Sequence, residues 1–202
     1  MPRAFSEQER ATIRAALLEQ GRMLFGQVGL RKTNVEELAR AVGISKGAFY
    51  LFFESKEELY FELLEAFEAN YKQAMLAEIA RAGQPPRVRM RALLERALSD
   101  WKRMSLFARF SKAEYEALLR RLPPERVERH LAADSVFAEQ FACAWEAAGA
   151  PLQVDPALAG GLIRALFFVG LHEDEFEDGV YVAVIANLLD MVTARLLPAH
   201  AA

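Results

Sequence analysis

Residues 33–59 read TNVEELARAVGISKGAFYLFFESKEEL, and their spacing decides the fold. Val35, Leu38, Ala39 and Val42 recur at i, i+3, i+4 and i+7, the pattern of a short helix with one buried stripe. Thr33 and Glu36 stand at the positions of a capping box at its start. Gly43 stops the helix. Ser45 then caps a second short helix of about seven residues, predicted to run through Phe52 or Phe53. Its outer face carries Lys46, Gly47, Ala48, Tyr50 and Leu51, while Phe49 and Phe53 point inward. Two short helices joined by a glycine turn, the second exposing small and basic side chains, have the layout of a helix-turn-helix. In such a unit the start of the second helix offers N–H groups, a hydroxyl and a cation to phosphate oxygens. Small residues such as Gly47 and Ala48 let the helix approach base edges and thymine methyls.

Helical signals continue on both sides of this stretch. Ser6-Glu7-Gln8-Glu9 is a capping box opening a first helix with Ile13, Leu17, Leu24 and Val28 as its stripe and Gly29 as its left-handed end. Ser55-Lys56-Glu57-Glu58 opens a long fourth helix through Leu59, Leu63 and Phe67, ended before Pro85-Pro86. Five further helical segments follow, the last two running from Pro156 to about His172 and from Gly179 to Leu197. The expected fold is therefore all-α, about nine helices joined by short loops. Residues 1–54 are expected to form a three-helix DNA-binding domain. Residues 55–202 are expected to form a larger helical body joined to it by the fourth helix.

Composition and charge narrow the function classes. The 202 residues are 53% apolar and 26% charged, a globular balance. No apolar run approaches the length needed to span a bilayer, and the start of the chain lacks a secretory h-region, so a cytoplasmic protein is expected. The net charge of −3 argues against nucleic acid, but its distribution does not. Residues 1–56 hold nine basic and six acidic side chains, a surplus of +3, and the remainder carries −6. A basic head on an acidic body offers one end to a polyanion. One cysteine, Cys143, excludes an internal disulfide, and its place between Phe141 and Trp145 suggests a buried, inert thiol. Three scattered histidines and the absence of nucleophile or phosphate-loop motifs give no support for catalysis, a metal or a cofactor. His172 beside Glu173, Asp174 and Glu175 reads as a solvated acidic loop.

The 33–59 stretch also resembles the tetracycline-repressor (TetR) family of bacterial regulators. The resemblance is carried by Thr33, Val35, Leu38-Ala39, Gly43-Ile44-Ser45-Lys46-Gly47, Tyr50, Phe53 and Ser55-Lys56-Glu57-Glu58-Leu59. It implies that Thr33, Tyr50 and Lys56 contact phosphates and that Ser45, Lys46, Gly47 and Ala48 lie on the recognition helix. Phe52 departs from the family, which often has His or Tyr there, because a phenyl ring donates no hydrogen bond.

The resemblance further implies an effector cavity among the helices after the fourth. Trp101, Met104, Phe107, Phe110, Phe137, Phe141, Trp145 and Phe167 are the candidate lining, although a helical core would use the same residues. Arg109, His130 and Arg164 are its candidate polar groups. An apolar or aromatic effector is the expectation. The last two helices are strongly apolar, and Gly160-Gly161 suggests close backbone packing there, so a homodimer through them is expected. The function these features imply is a repressor that binds a palindromic operator as a dimer and is released by a small molecule. The alternative is an activator or chromosome-associated DNA-binding protein controlled by a protein partner.

Overall fold

A computed structural model describes residues 5–81, 83–103, 112–170, 172–177 and 179–198. Among the described residues there are nine α-helices and no strand. They are α1 (Glu7–Lys32), α2 (Val35–Ala41), α3 (Lys46–Phe49), α4 (Lys56–Ile79), α5 (Pro86–Arg103), α6 (Lys112–Leu119), α7 (Pro124–Ala147), α8 (Pro156–Gly170) and α9 (Val180–Leu196). A single 3₁₀ turn, Glu173–Glu175, falls within the acidic segment before α9. The all-α expectation holds.

The contacts group the chain into two compact units. One comprises Met1–Glu68 and Met104–Val127, the other Ala69–Arg103 and Glu128–Ala202. Helix α4 starts in the first, and its last turns belong to the second.

In the first unit, α1 opens as its sequence directs. The Ser6 hydroxyl accepts from the Glu9 N–H at 3.2 Å, and the Glu9 carboxylate accepts from the Ser6 N–H at 2.8 Å. Gly29, at φ +81°, breaks the helix before its last three residues, a conformation that glycine adopts without strain. The buried stripe is Leu17, Gly21 and Phe25. Leu24 is only half-buried and Val28 is 42% exposed, so the stripe steps by four through a glycine that apolar patterning skips. Gly21 is there for contact: a β-carbon on it would overlap Leu59 Cδ2 on α4 and lie 3.3 Å from Phe25 Cε2. Leu17, Phe25, Leu38, Phe49, Phe53 and Leu59 form the centre of this core.

Helix α6 also contributes to the core of this unit, through Leu118 and the following Leu122. Buried Glu57, in the first turn of α4, pairs with Arg121. Arg126 lies 2.6 Å from Glu65 and sits over the Phe61 ring.

The second unit packs Met90, Leu94 and Leu98 of α5, Phe141 and Trp145 of α7, Leu166 of α8 and Leu189 of α9 into one core. Asp155 caps α8 as expected, accepting the Leu158 N–H at 2.8 Å. Close packing on α8 occurs at Gly170, where a β-carbon would overlap the Leu98 side chain, and not at Gly160-Gly161. A β-carbon at Gly160 would meet Ala138 at an ordinary 3.5 Å, and at Gly161 it would meet nothing within 4 Å. The Tyr181 hydroxyl donates to the Gly170 carbonyl at 2.5 Å.

Cys143 is exposed, contrary to expectation. Residues two apart on a helix lie on nearly opposite sides, so its flanking by buried Phe141 and Trp145 points it outward. No described helix is long and apolar enough to cross a membrane.

Candidate nucleic-acid interface

Helix α2 is capped by Asn34, not Thr33: the Asn34 Oδ1 accepts the Glu37 N–H at 2.8 Å. Thr33 instead ends α1, its N–H and hydroxyl both donating to the Gly29 carbonyl at 3.3 and 2.9 Å. Threonine and asparagine are both good caps, and the chain uses each for a different helix. At the far end of α2, Gly43 sits at φ +74°. The Ile44 N–H donates back to the Ala39 carbonyl at 3.0 Å, and the Gly43 N–H to the Arg40 carbonyl at 3.1 Å. This pair of bonds is a Schellman motif, and it makes the turn of the helix-turn-helix.

The Ser45 hydroxyl caps α3, accepting the Ala48 N–H at 3.1 Å. Helix α3 is shorter than expected, ending at Phe49. Beyond it the coil continues in tighter i+3 turns, Leu51 to Ala48 and Phe52 to Phe49, which carry the chain to Phe53. Phe49 is fully buried, with its ring 5.9 Å from that of buried Phe53. On the other side Ser45, Lys46, Gly47, Tyr50 and Leu51 are exposed, Tyr50 by 50% and Leu51 by 56%, with Ala48 half-buried. A β-carbon on Gly47 would meet only the Ser45 hydroxyl, at 3.9 Å. Nothing inside the chain therefore requires a glycine at this position.

The remaining candidate contacts divide in two. Lys46 is exposed and makes no ion pair among the described residues, as do Arg31, Lys32 and Arg40. Lys56 is otherwise engaged: its ammonium donates to the carbonyls of Leu30 at 2.8 Å, Thr33 at 2.6 Å and Arg31 at 3.3 Å. An ammonium has three N–H donors, and all three are used. Burial holds its pKa below the ordinary lysine value, with Glu57 opposing that shift and Arg121 adding to it. Lys56 and Thr33 together tie the end of α1 to the start of α4. Sequence patterning cannot see this, because the acceptors are backbone carbonyls.

The expected effector residues also form two groups. The rings of Trp101 and Phe167 meet edge-to-face at 6.1 Å, and each meets Tyr71 on α4, at 5.9 and 6.2 Å. Phe137, Phe141 and Trp145 form a ladder along α7 with centroids 6.0 and 6.4 Å apart, and the last two are buried in the core. Tyr71 was legible as the next four-residue step after Leu63 and Phe67; burial raises its hydroxyl pKa, with Asp100 adding to the shift. Lys72 lies over the Phe137 ring and 2.7 Å from Asp134, which Arg164 approaches at 3.7 Å. His130 is buried. Met104, Phe107, Arg109 and Phe110 lie outside the described residues.

Residues 17–63, the stretch holding this geometry, match the family described as bacterial regulatory proteins, tetR family. Among curated proteins the chain is similar to the HTH-type transcriptional regulator AcrR of Shigella flexneri, 29% identical over 54% of each chain. The chain spans about half or less of the length of the first curated relatives it matches. Among solved structures it is similar to a TetR-family transcriptional regulator of Pectobacterium atrosepticum, with TM-score 0.67, 22% identity and 96% and 98% of the two chains covered. It is also similar to SmeT, the repressor of the Stenotrophomonas maltophilia multidrug efflux pump SmeDEF, with TM-score 0.62, 20% identity and 94% and 92% covered. A solved SmeT–triclosan complex is similar as well, with TM-score 0.60, 16% identity and 95% and 94% of the two chains covered. At these identities the structures show a shared fold along nearly the whole chain. Through residues 17–63, which hold its helix-turn-helix, this chain is similar to the tetR family of bacterial regulatory proteins.

Proposed function

We propose that the chain is a dimeric transcriptional repressor that reads a palindromic operator through two copies of the 45–51 segment and is released by a small apolar or aromatic effector. Residues 1–54 carry DNA binding in this reading, and 55–202 carry effector binding and dimerisation. The observation that supports it most is the one-sidedness of the 45–51 segment. Phe49 anchors it from behind and meets the half-exposed Tyr50 ring edge-to-face at 5.5 Å, while Lys46 and Gly47 face outward with no role inside the unit among the described residues. Small side chains and an unpaired cation on an anchored helix suit entry into a major groove.

Dimerisation is supported by two faces left open on the single chain. Leu158, Gly161, Ala165 and Phe168 form an exposed stripe on α8, and Ala183, Asn187 and Met191 form one on α9. A second copy would cover them by two-fold symmetry and set two recognition segments about 34 Å apart, one turn of duplex. The Tyr71–Trp101–Phe167 group is the better supported of the two aromatic sites for an effector. Unlike Phe141 and Trp145, its members are only partly buried. SmeT, with its triclosan complex, gives a neighbour that holds a ligand. An effector that favours a non-binding form by a factor of one hundred supplies about 2.7 kcal/mol of coupling.

Lys46→Ala and Tyr50→Ala test the interface. Each is expected to weaken binding to a duplex selected by the unaltered protein about five- to thirtyfold while the protein stays folded, at a stability cost of no more than about 1.5 kcal/mol. Unchanged affinity in both would remove the assigned contacts. Footprinting on chromosomal DNA separates the readings of function: a few palindromic sites support the repressor, and broad coverage supports the chromosome-associated alternative.

A further inference from the structure

Two arginines one helical turn apart on α1 stack on two consecutive phenyl rings at the end of the recognition segment. Arg14 lies over Phe53, its guanidinium 4.9 Å from the ring centre, and Arg10 lies over Phe52 at 5.5 Å. Their charges have different fates. Arg14 forms a two-pronged pair with Glu62, at 2.6 and 2.5 Å, so its charge is neutralised inside the unit. Arg10 donates one N–H to the Leu51 carbonyl at 3.1 Å and has no carboxylate partner among the described residues. Phe5 packs on Phe52 as well, with ring centres 5.9 Å apart, so the platform beneath Arg10 is itself supported.

A guanidinium has five N–H donors in a rigid plane. With one of them on Leu51 and the carbon resting over a ring, Arg10 is an exposed cation held in place with donors to spare. A preorganised, unneutralised guanidinium matches the geometry of a phosphate. Its position matters as much as its charge. Lys46 opens the recognition segment, and Arg10 is tied to Leu51 at its other end. A helical rise of about 1.5 Å per residue puts the two ends roughly 8 Å apart. The reach of the two side chains extends that to about the 12 Å width of a major groove.

We propose that Arg10 is a phosphate-contacting residue of the DNA interface, closing the recognition segment at its C-terminal end as Lys46 does at its start. The proposal deepens the DNA-binding reading above and rests on it. It assigns Phe52 a role that needs no hydrogen-bond donor: the ring is the platform that aims the guanidinium. Arg14, with the same stacking, holds the fold together and takes no part in binding.

The test is fluorescence anisotropy with a labelled duplex selected from a randomised pool by the unaltered protein, repeated over a range of KCl concentrations. Arg10→Gln keeps a donor for the Leu51 carbonyl and removes the charge. It is expected to weaken binding about five- to thirtyfold and to make the log–log salt slope shallower by about 0.9, the release of one phosphate contact. Arg10→Lys is expected to recover the slope and part of the affinity, and Arg14→Gln to leave the slope unchanged. A slope unaltered in Arg10→Gln, while Lys46→Ala loses about 0.9, would overturn the proposal and leave the DNA reading standing. Equal slopes for Arg10→Lys and Arg10→Gln would overturn it too, even if the glutamine variant folds poorly. If no duplex is enriched and binding is indifferent to salt, the DNA reading fails and Arg10 fails with it.

Discussion

Phe49→Ala is expected to cost the first unit about 3–5 kcal/mol, the range for emptying a fully buried aromatic site, and to abolish specific DNA binding. The ring has no exposed surface and packs against Phe53, while its own backbone lies in the segment that presents Lys46, Gly47 and Tyr50. Removing it takes away the only large side chain that α3 itself sinks into the core. Tyr50→Ala, one residue on and half exposed, is the control: it removes one edge-to-face contact with Phe49 and is expected to cost about 0.5–1.5 kcal/mol. Urea unfolding followed by far-ultraviolet circular dichroism measures both. A shift of less than 1 kcal/mol for Phe49→Ala, or a loss equal to it for Tyr50→Ala, would mean that the inward and outward faces of α3 have been misassigned.

The second large effect is expected at Lys56. Lys56→Met keeps the aliphatic stem but leaves the carbonyls of Leu30, Arg31 and Thr33 without their shared donor. The expected loss is about 2–4 kcal/mol, since hydrogen bonds to a charged group are worth more than neutral ones and stranded carbonyls carry their own cost. The resemblance to the family places Lys56 among the phosphate contacts, and the two roles make different predictions. As the tie between α1 and α4, Lys56→Met lowers the midpoint of unfolding while the salt slope of DNA binding in the folded protein stays the same. As a phosphate contact, it would flatten the slope by about 0.9 and leave stability almost untouched. Paired measurements of melting and salt dependence decide between them.

The parts of the fold that were legible in the sequence are those governed by local rules. The Ser6, Ser45 and Ser55 caps, the glycine turns at Gly29 and Gly43 and the α8 start at Asp155 all form as the residues dictate. So does the orientation of Phe49 and Phe53. What escaped depends on partners distant in sequence. Gly21 belongs to the buried stripe of α1 because α4 presses against it, and patterning that looks for apolar side chains passes over a glycine. Leu118 of α6 and the following Leu122 join the core of the first unit more than sixty residues after α4 begins, a pairing no periodicity announces. Lys56 reads as an exposed cation until the three carbonyls around it are seen. Arg10 reads as one more charge on an amphipathic helix until the Phe52 ring is found beneath it. Cys143 departs from expectation for a simpler reason: adjacency in sequence to Phe141 and Trp145 does not give a shared face, and helical geometry turns it away.

Among the effector candidates the sequence supplied the residue types but could not separate fully buried rings from partly buried ones. The structure sinks Phe141 and Trp145 into the second core and gathers Tyr71, Trp101 and Phe167 into a group only partly buried. That separation needs neighbours, and neighbours are what a linear reading lacks.

The claim on which the account stands is that the 45–51 segment enters a major groove, twice per duplex. Methylation protection of guanine N7, an atom exposed only in the major groove, tests it directly on a selected duplex. The account predicts two protected patches with centres about 10 base pairs apart, both lost in Phe49→Ala. Unprotected N7 positions in a fully bound duplex, or a single patch without a symmetric mate, would contradict it.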